Sequence, residues 1–317
     1  YDTARMYVAV VLSALIGVAS AGGLPFVEWN QLPLIPMIQP FGLIVVIGVL
    51  IGSEVCRRYS LRFGVDDDDH RRLMLWVMVT GFIGAHVFDV LAYQQDRLAE
   101  DPMILLKLWD GISSYGGFLG GAMGFFFFTW WKRLSVGLFA DITIVGLLVA
   151  FSIGRIACTL VHDHIGAATT SSFGVDYPWK ELVGRGLAKE FTQAAVVRAH
   201  NLGMYELAYL VPVNALVLWL AFRNSTRRLP AGFIAVIVGV LYAPVRFFLE
   251  FWRLNQSDPR YLGMTFAQWC SIAAFAAAAY VAVVLWRRGK PAPLTAELDG
   301  KLGGHLASEA ALRATAS

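Results

Sequence analysis

The sequence predicts an all-α integral membrane fold: a polytopic helical bundle of about seven to eight transmembrane helices with an external head segment. Three observations carry that reading. Of 317 residues, 57% are hydrophobic and only 15% charged, with a mean hydropathy of +0.58, which is too apolar for a soluble domain. The apolar residues gather into stretches near the ~20 residues that a helix needs to cross the hydrocarbon layer. Basic clusters fall in every second connection between those stretches.

The stretches lie near Met6 to Ala21, Phe41 to Cys56, Leu73 to Tyr93, Ile112 to Trp131, Asp141 to Val161, Tyr205 to Phe222, Phe233 to Phe251 and Phe266 to Trp286. They are continuous rather than alternating, which selects helices over barrel strands. Short basic loops stay on the cytoplasmic side. Arg57, Arg58, Arg62, Arg71 and Arg72, then Lys132 and Arg133, then Arg223, Arg227 and Arg228, then Arg287, Arg288 and Lys290 mark that side. The connections 94–110, 162–204 and 253–263 then face outward, and the second is long enough for a small external segment.

Three units follow: residues 1–30, 31–290 and 291–317. In the first, Arg5, an apolar run and Ala19-Ser20-Ala21 fit either a signal peptide or an extra transmembrane segment. The second is the transmembrane domain, and the third is expected to be a disordered cytoplasmic tail. A formal charge of +3 belongs to the cytoplasmic loops and gives no reason to expect nucleic acid. Cys56, Cys158 and Cys270 are scattered, without disulfide or CxxC spacing. The run Asp66 to Asp69 lacks calcium-loop spacing and reads as an exposed acidic loop.

A charged side chain at helix depth needs a partner or a ligand. Arg155 lies inside the fifth stretch and Arg246 inside the seventh, four residues before Glu250. An ion pair between Arg246 and Glu250 on one helix face is the bland reading. A guanidinium also suits bidentate recognition of phosphate, the anion most available at a membrane surface. The run Ser113-Ser114-Tyr115-Gly116-Gly117-Phe118-Leu119-Gly120-Gly121 opens the fourth stretch; its glycines suit an anion at a helix start or close helix packing. After Arg155 come Cys158, His162, Asp163 and His164, which offer a general base. Their spacing matches no common zinc site, so neither metal nor cofactor is expected. His86 and Asp141, also at membrane depth, are explained by packing or hydrogen bonding between helices.

With these residues in view, the chain from about Leu34 to Trp286 resembles the prolipoprotein diacylglyceryl transferase family. The pieces stand in family order: Gln39-Pro40-Phe41-Gly42-Leu43, Gly81 to Tyr93, Leu108-Trp109-Asp110-Gly111-Ile112-Ser113 before the glycine motif, Gly154-Arg155, Tyr205-Glu206, Arg246 to Arg253, and Gly263-Met264-Thr265 through Gln268. The resemblance implies a transferase of the bacterial inner membrane that moves the diacylglyceryl group of phosphatidylglycerol to the lipobox cysteine thiol of a prolipoprotein signal peptide. It implies that Arg155 and Arg246 clamp the phosphodiester, with Tyr242 and Glu250 lining the same site. Gly116, Gly117, Gly120, Gly154, Gly166, Glu206, His200 and Phe41 are the further residues expected to contact substrate or membrane lipid.

Departures from the family pattern are specific. The glycine motif normally begins with a histidine proposed as base, and here Tyr115 stands there; Phe41 replaces an early tyrosine. Cys158 and Val161 occupy asparagine positions, and Asp163 replaces a glutamate. Tyrosine is a poor base near neutral pH, with a pKa of ~10. His162 or His164, oriented by Asp163, is therefore expected to act instead. Two other readings compete: a diverged or inactive relative acting on another acceptor, and a membrane transporter. The absence of an internal repeat or paired broken helices argues against transport.

Overall fold

The computed structural model describes residues 40–107, 111, 113–162, 164–222, 229–254 and 260–288. The first apolar stretch, Asp163 and the tail after Lys290 lie outside the described residues. Seven long helices run in chain order: α1 (Pro40–Leu61), α2 (Asp67–Tyr93), α3 (Ser114–Trp131), α4 (Val136–Leu160), α5 (Leu202–Phe222), α6 (Phe233–Leu249) and α7 (Phe266–Arg288). By length and hydropathy, five can cross a membrane: α2, α4, α5, α6 with its extension to Trp252, and α7. The protein is an all-α polytopic membrane protein, and these five are the crossings that the described residues supply toward the seven to eight expected. In α1 the last turns carry Glu54, Arg57 and Arg58; in α3 glycine, Thr129 and two tryptophans dilute the hydropathy.

The bundle closes where small residues let backbones meet. Gly52 of α1 and Gly146 of α4 face each other so closely that a Cβ on Gly52 would sit 2.5 Å from the Gly146 carbonyl oxygen. Similarly, Gly84 of α2 meets Gly116 and Gly120 of α3. The main core gathers Leu73, Phe128, Leu138, Phe139, Ile142, Leu210, Val217 and Ile234 from five of these helices. Large side chains such as Phe126, Trp130, Leu216 and Tyr280 stay on the outer surface, as a helix that faces lipid allows.

Polar residues at depth serve helix ends. Asp141 is buried, and its carboxylate accepts the backbone N–H groups of Gly232 and Ala235, each at 2.8 Å, at the start of α6. These donors have no partner within the helix, so the carboxylate acts as a remote N-terminal cap. Asp141→Ala is expected to lower stability by roughly 0.5–2 kcal/mol, the range for losing a cap, read as a drop in the unfolding midpoint in detergent. The two ring nitrogens of His86 lie 3.1 and 3.0 Å from the carbonyl oxygens of Gly111 and Ile104, tying that connection to α2. Gly111 has φ +97°, and a Cβ there would meet the Asp89 carboxylate at 2.4 Å, so only glycine fits this turn.

The acidic run is not a loop, which corrects the expectation. Asp67 to Asp69 form the first turn of α2, where the positive end of the helix dipole favours carboxylates. Asp67 lies 3.7 Å from Arg57 and 3.8 Å from Arg71, and Asp69 lies 3.8 Å from Lys132.

Between α4 and α5 the chain builds a small antiparallel sheet, β1 (Ile165–Ala168), β2 (Val175–Pro178) and β3 (Val196–Asn201), in the order β1-β3-β2. Ile165, Tyr177, Leu182, Phe191, Val197, Ala199 and Leu254 form its own apolar core. Several contacts fasten the sheet to the bundle. Arg185 donates to the carbonyl oxygens of Val161 (2.7 Å) and His162 (3.1 Å), capping the end of α4. Asn201 Oδ1 accepts the Met204 N–H at the start of α5. Gly166 pairs with Arg253 in an isolated antiparallel bridge. A hairpin, β4 (Arg260–Tyr261) with β5 (Met264–Thr265), leads into α7.

Candidate active site

The last turns of α4 and α6 and the first turns of α3, α5 and α7 meet at the sheet end of the bundle. Arg155, one and a half turns before the end of α4, is buried and sets Nε 3.0 Å from Glu206 Oε2 of α5. Its guanidinium also lies 4.8 Å from the Phe151 ring centre and donates to Cys158 Sγ at 3.7 Å. The other oxygen of Glu206 accepts the Tyr242 hydroxyl of α6. One turn further along α6, Arg246 pairs with Glu250 at 2.6 Å and donates to the Tyr115 hydroxyl of α3 at 3.4 Å. Arg246 also lies within electrostatic reach of Glu206, and the two guanidiniums repel one another. Two arginines from separate helices therefore converge on one network.

Glu250 is the most heavily bonded carboxylate of the group. It is fully buried and is approached by Arg246, by Arg253 at 3.4 Å and by the Thr265 hydroxyl at 2.9 Å. Thr265 is placed by a capping box at the start of α7: its oxygen accepts the Gln268 N–H, and Gln268 Oε1 accepts the Thr265 N–H at 3.0 Å. So the ion pair between Arg246 and Glu250 that the sequence offered as a bland alternative is real, but it is one edge of a larger network.

Among the described residues, three guanidiniums, Arg155, Arg246 and Arg253, meet two carboxylates, Glu206 and Glu250. Buried guanidiniums gathered at one place suit an anion with several acceptor oxygens.

The remaining expected residues divide. The imidazole of His164, between α4 and β1, feels Arg155, Arg253 and Arg246, and burial together with these cations holds its pKa well below the ordinary histidine value. His162 sits apart, in a turn with φ +51°. Its Nδ1 lies 3.2 Å from Asn201 Nδ2, and its ring packs edge-on against Tyr177 at 5.1 Å. His162 thus belongs to the joint between sheet and bundle. His200 stacks on Trp252 and bonds the Tyr205 hydroxyl at 2.8 Å, so it too serves the sheet. Gly166 is there because a Cβ would meet the Trp252 carbonyl oxygen at 2.7 Å, blocking the bridge that positions Arg253. Gly154 has nothing within 4 Å of its Cβ position and leaves open space beside Arg155. Phe41 is half-buried in the first turn of α1. Among the described residues no three His, Cys, Asp or Glu side chains are placed to hold a metal.

The glycine motif packs helices. A Cβ on Gly116 would meet the Gly84 carbonyl oxygen at 2.3 Å, and one on Gly120 the Thr80 carbonyl oxygen at 2.3 Å, whereas Gly117 has only ordinary contacts with Ala85 and Gly81. This close approach leaves an apolar groove of 540 Å³ between α2 and α3, floored by Gly84, Gly116, Gly120 and Gly124 and rimmed by Leu119 and Met123. Its upper end adjoins the arginines through Phe88, whose ring is 5.4 Å from Phe266, which in turn is 5.2 Å from Tyr115.

Arg253 and Thr265 were not singled out from the sequence as site residues. Arg253 reads as an ordinary loop arginine, and its role depends on the bridge to Gly166. The signal for Thr265 was present in Thr265-Phe266-Ala267-Gln268, a capping pattern ahead of an apolar run.

A family model described as prolipoprotein diacylglyceryl transferase matches residues 31–284. Among curated proteins, the chain is 30% identical over 256 residues to the phosphatidylglycerol–prolipoprotein diacylglyceryl transferase of Chromohalobacter salexigens, covering 79% of this chain and 88% of that one. It is 27% identical to the enzyme of that name from Leifsonia xyli, covering 82% and 78%. For the one from Thermosynechococcus vestitus the identity is 28%, covering 80% and 90%. A match over most of the length, to which the arginine network adds a physical rationale, establishes that this chain belongs to the prolipoprotein diacylglyceryl transferase family.

Proposed function

We propose that the protein transfers the diacylglyceryl group of phosphatidylglycerol to the lipobox cysteine thiol of prolipoproteins, at the site where Arg155 and Arg246 converge. The observation that carries this reading is the convergence of two buried guanidiniums, from α4 and α6, on one network at the helix ends. A phosphodiester headgroup brings one negative charge and acceptor oxygens that guanidiniums bind, and as glycerol phosphate departs its charge grows and the guanidiniums hold it more strongly. The same groups therefore bind substrate and stabilise the leaving group. The thiol attacks the glycerol carbon, a C–S bond forms as the C–O bond to phosphate breaks, and the thiol proton is released to a base or to water.

The site sits at helix ends, where a lipid headgroup and a peptide from the aqueous side can both reach it. The sheet between α4 and α5 stands over it and is the proposed external segment, since Arg57, Arg58, Arg71 and Lys132 lie at the opposite helix ends. This arrangement supports a location in the bacterial cytoplasmic membrane, with α7 ending on the cytoplasmic side. In the groove between α2 and α3 we place one acyl chain of the donor. From Gly116 to Phe127 the groove follows α3 for about 16 Å at 1.5 Å per residue, roughly one leaflet of hydrocarbon.

The test is incubation of the purified protein in detergent with phosphatidylglycerol and a lipobox peptide, followed by mass analysis of the peptide. A diacylglyceryl adduct on the cysteine is expected, together with free glycerol phosphate. Absence of the adduct from folded protein that still binds phosphatidylglycerol would overturn the reading. Met123→Trp, at the groove rim, is expected to raise the KM for donors with long acyl chains several-fold and leave short-chain donors less affected. Equal effects on both would remove the groove from the substrate site.

A further inference from the structure

We propose that the tip of the β4–β5 hairpin is seated in the lipid layer on the sheet side of the bundle, with Leu262 reaching past the headgroups into hydrocarbon. The inference stands on the membrane fold and not on the transfer reaction.

The turn is poorly made for water. Tyr261 pairs with Met264, so the loop holds only Leu262 and Gly263, with φ +52° and +82°. A two-residue hairpin loop with both φ values positive follows the type I′ pattern, which asparagine or aspartate followed by glycine fills best. Gly263 suits its place and Leu262 does not. A Cβ makes the left-handed conformation costly, and leucine lacks the short polar side chain with which asparagine offsets that cost. Leu262 is also 92% exposed, so packing within the protein does not account for it. A large apolar side chain held open at the tip of a strained turn fits surroundings that are themselves apolar.

The neighbours identify those surroundings. The carbonyl oxygen of Tyr261 accepts the Trp269 indole N–H at 3.0 Å, which lays the hairpin against the first turns of α7. Trp269 and Ile272, one turn apart on that helix, are exposed apolar residues of a segment long and apolar enough to cross the membrane. The hairpin therefore continues the lipid-facing surface of α7. Its residue types suit the boundary between hydrocarbon and headgroups. Tyr261 and Trp269 are aromatics of the kind enriched there, and Arg260, exposed and roughly 7 Å back from Leu262 at ~3.4 Å per residue, falls where lipid phosphates lie.

The anchor stands next to the arginine network. β5 ends at Thr265, whose hydroxyl donates to Glu250 at 2.9 Å and whose backbone N–H is held by Gln268. Lipid contact at the tip thus fixes the depth at which this edge of the network meets the headgroups.

The test uses the full chain in vesicles that contain phosphatidylglycerol. Leu262→Cys in a Cys270→Ala background carries a fluorophore, because Cys270 is itself exposed. Ser172→Cys in the same background, in the exposed turn between β1 and β2, is the aqueous reference. Signal from the Cys270→Ala protein alone is subtracted. Lipids with a nitroxide high on the acyl chain should quench position 262 at least about twofold more than position 172, as for a side chain about 5–10 Å below the headgroups, and aqueous iodide should do the reverse. Quenching of position 262 by iodide and not by nitroxide lipid would overturn the proposal. Shielding that requires an added lipobox peptide would overturn it equally, since the occupant would then be peptide.

The parent chain gives a second measurement that no substitution can disturb. In vesicles of a lipid with a photoreactive diazirine near the start of its acyl chain, adducts mapped by mass spectrometry should include residues 261–263. Adducts along α7 with none on those residues would sink the anchor. Neither measurement needs turnover, so the result is independent of the transfer reading.

Discussion

Arg246→Ala is expected to reduce kcat/KM for diacylglyceryl transfer by at least about 10²–10³-fold, the scale for losing one donor to a developing anion. The side chain does two things at once. It supplies one of the two guanidiniums that converge from α4 and α6, and it neutralises Glu250 at 2.6 Å. Without it, one of the two guanidiniums proposed to hold the phosphodiester is gone. Arg253 still faces Glu250, so the carboxylate is not abandoned, and the fold should survive with a lower unfolding midpoint. Arg246→Lys should rescue little, because an ammonium cannot contact Glu250, Tyr115 and phosphate with a rigid planar fork. The measurement is a rate assay with phosphatidylglycerol and a lipobox peptide on protein whose helicity matches the parent. Transfer within tenfold of the parent would separate Arg246 from the chemistry.

Gly120→Leu should produce the largest loss of stability of any single change considered. Its Cβ would stand 2.3 Å from the Thr80 carbonyl oxygen and 3.0 Å from Gly84 Cα, and both are backbone atoms of a helix that cannot step aside. Helices α2 and α3 would have to separate, with a penalty at or above the roughly 1–3 kcal/mol of ordinary overpacking. Gly154→Ala is the contrast. Nothing lies within 4 Å of that Cβ position, so the helix gains propensity and stability should rise by up to about 1 kcal/mol. Thermal unfolding of the two variants in the same detergent checks both. If Gly120→Leu melted with the parent, the close contact between α2 and α3 would not be what holds this end of the bundle.

How much of this was legible in the sequence depends on the range of the interaction concerned. Continuous apolar stretches announced helices, since length and hydropathy are local properties. The outlying case is the acidic run, taken for a loop: Asp67 to Asp69 join α2 because its N-terminus and the facing Arg57, Arg71 and Lys132 favour carboxylates there. The glycine motif left two readings open. The contacts of Gly116 and Gly120 are with α2, which lies some thirty residues earlier in the chain, and no local pattern encodes that. The pair of histidines after α4 was ambiguous for a similar reason. The sequence offered either one, and the helix ends at Leu160 before both, with His162 in a turn of positive φ and Gly166 bridged to Arg253.

By itself, the sequence determined that this is a helical membrane protein of the prolipoprotein diacylglyceryl transferase family, and that Arg155 and Arg246 need an explanation, because the cost of charge in lipid applies wherever the chain goes. Only the tertiary structure decided that both arginines share one network and that Arg253 and Thr265 meet Glu250 within it. Those facts depend on helix ends far apart in sequence being brought within a few ångströms, a distance at which Coulomb forces act and which residue order does not specify.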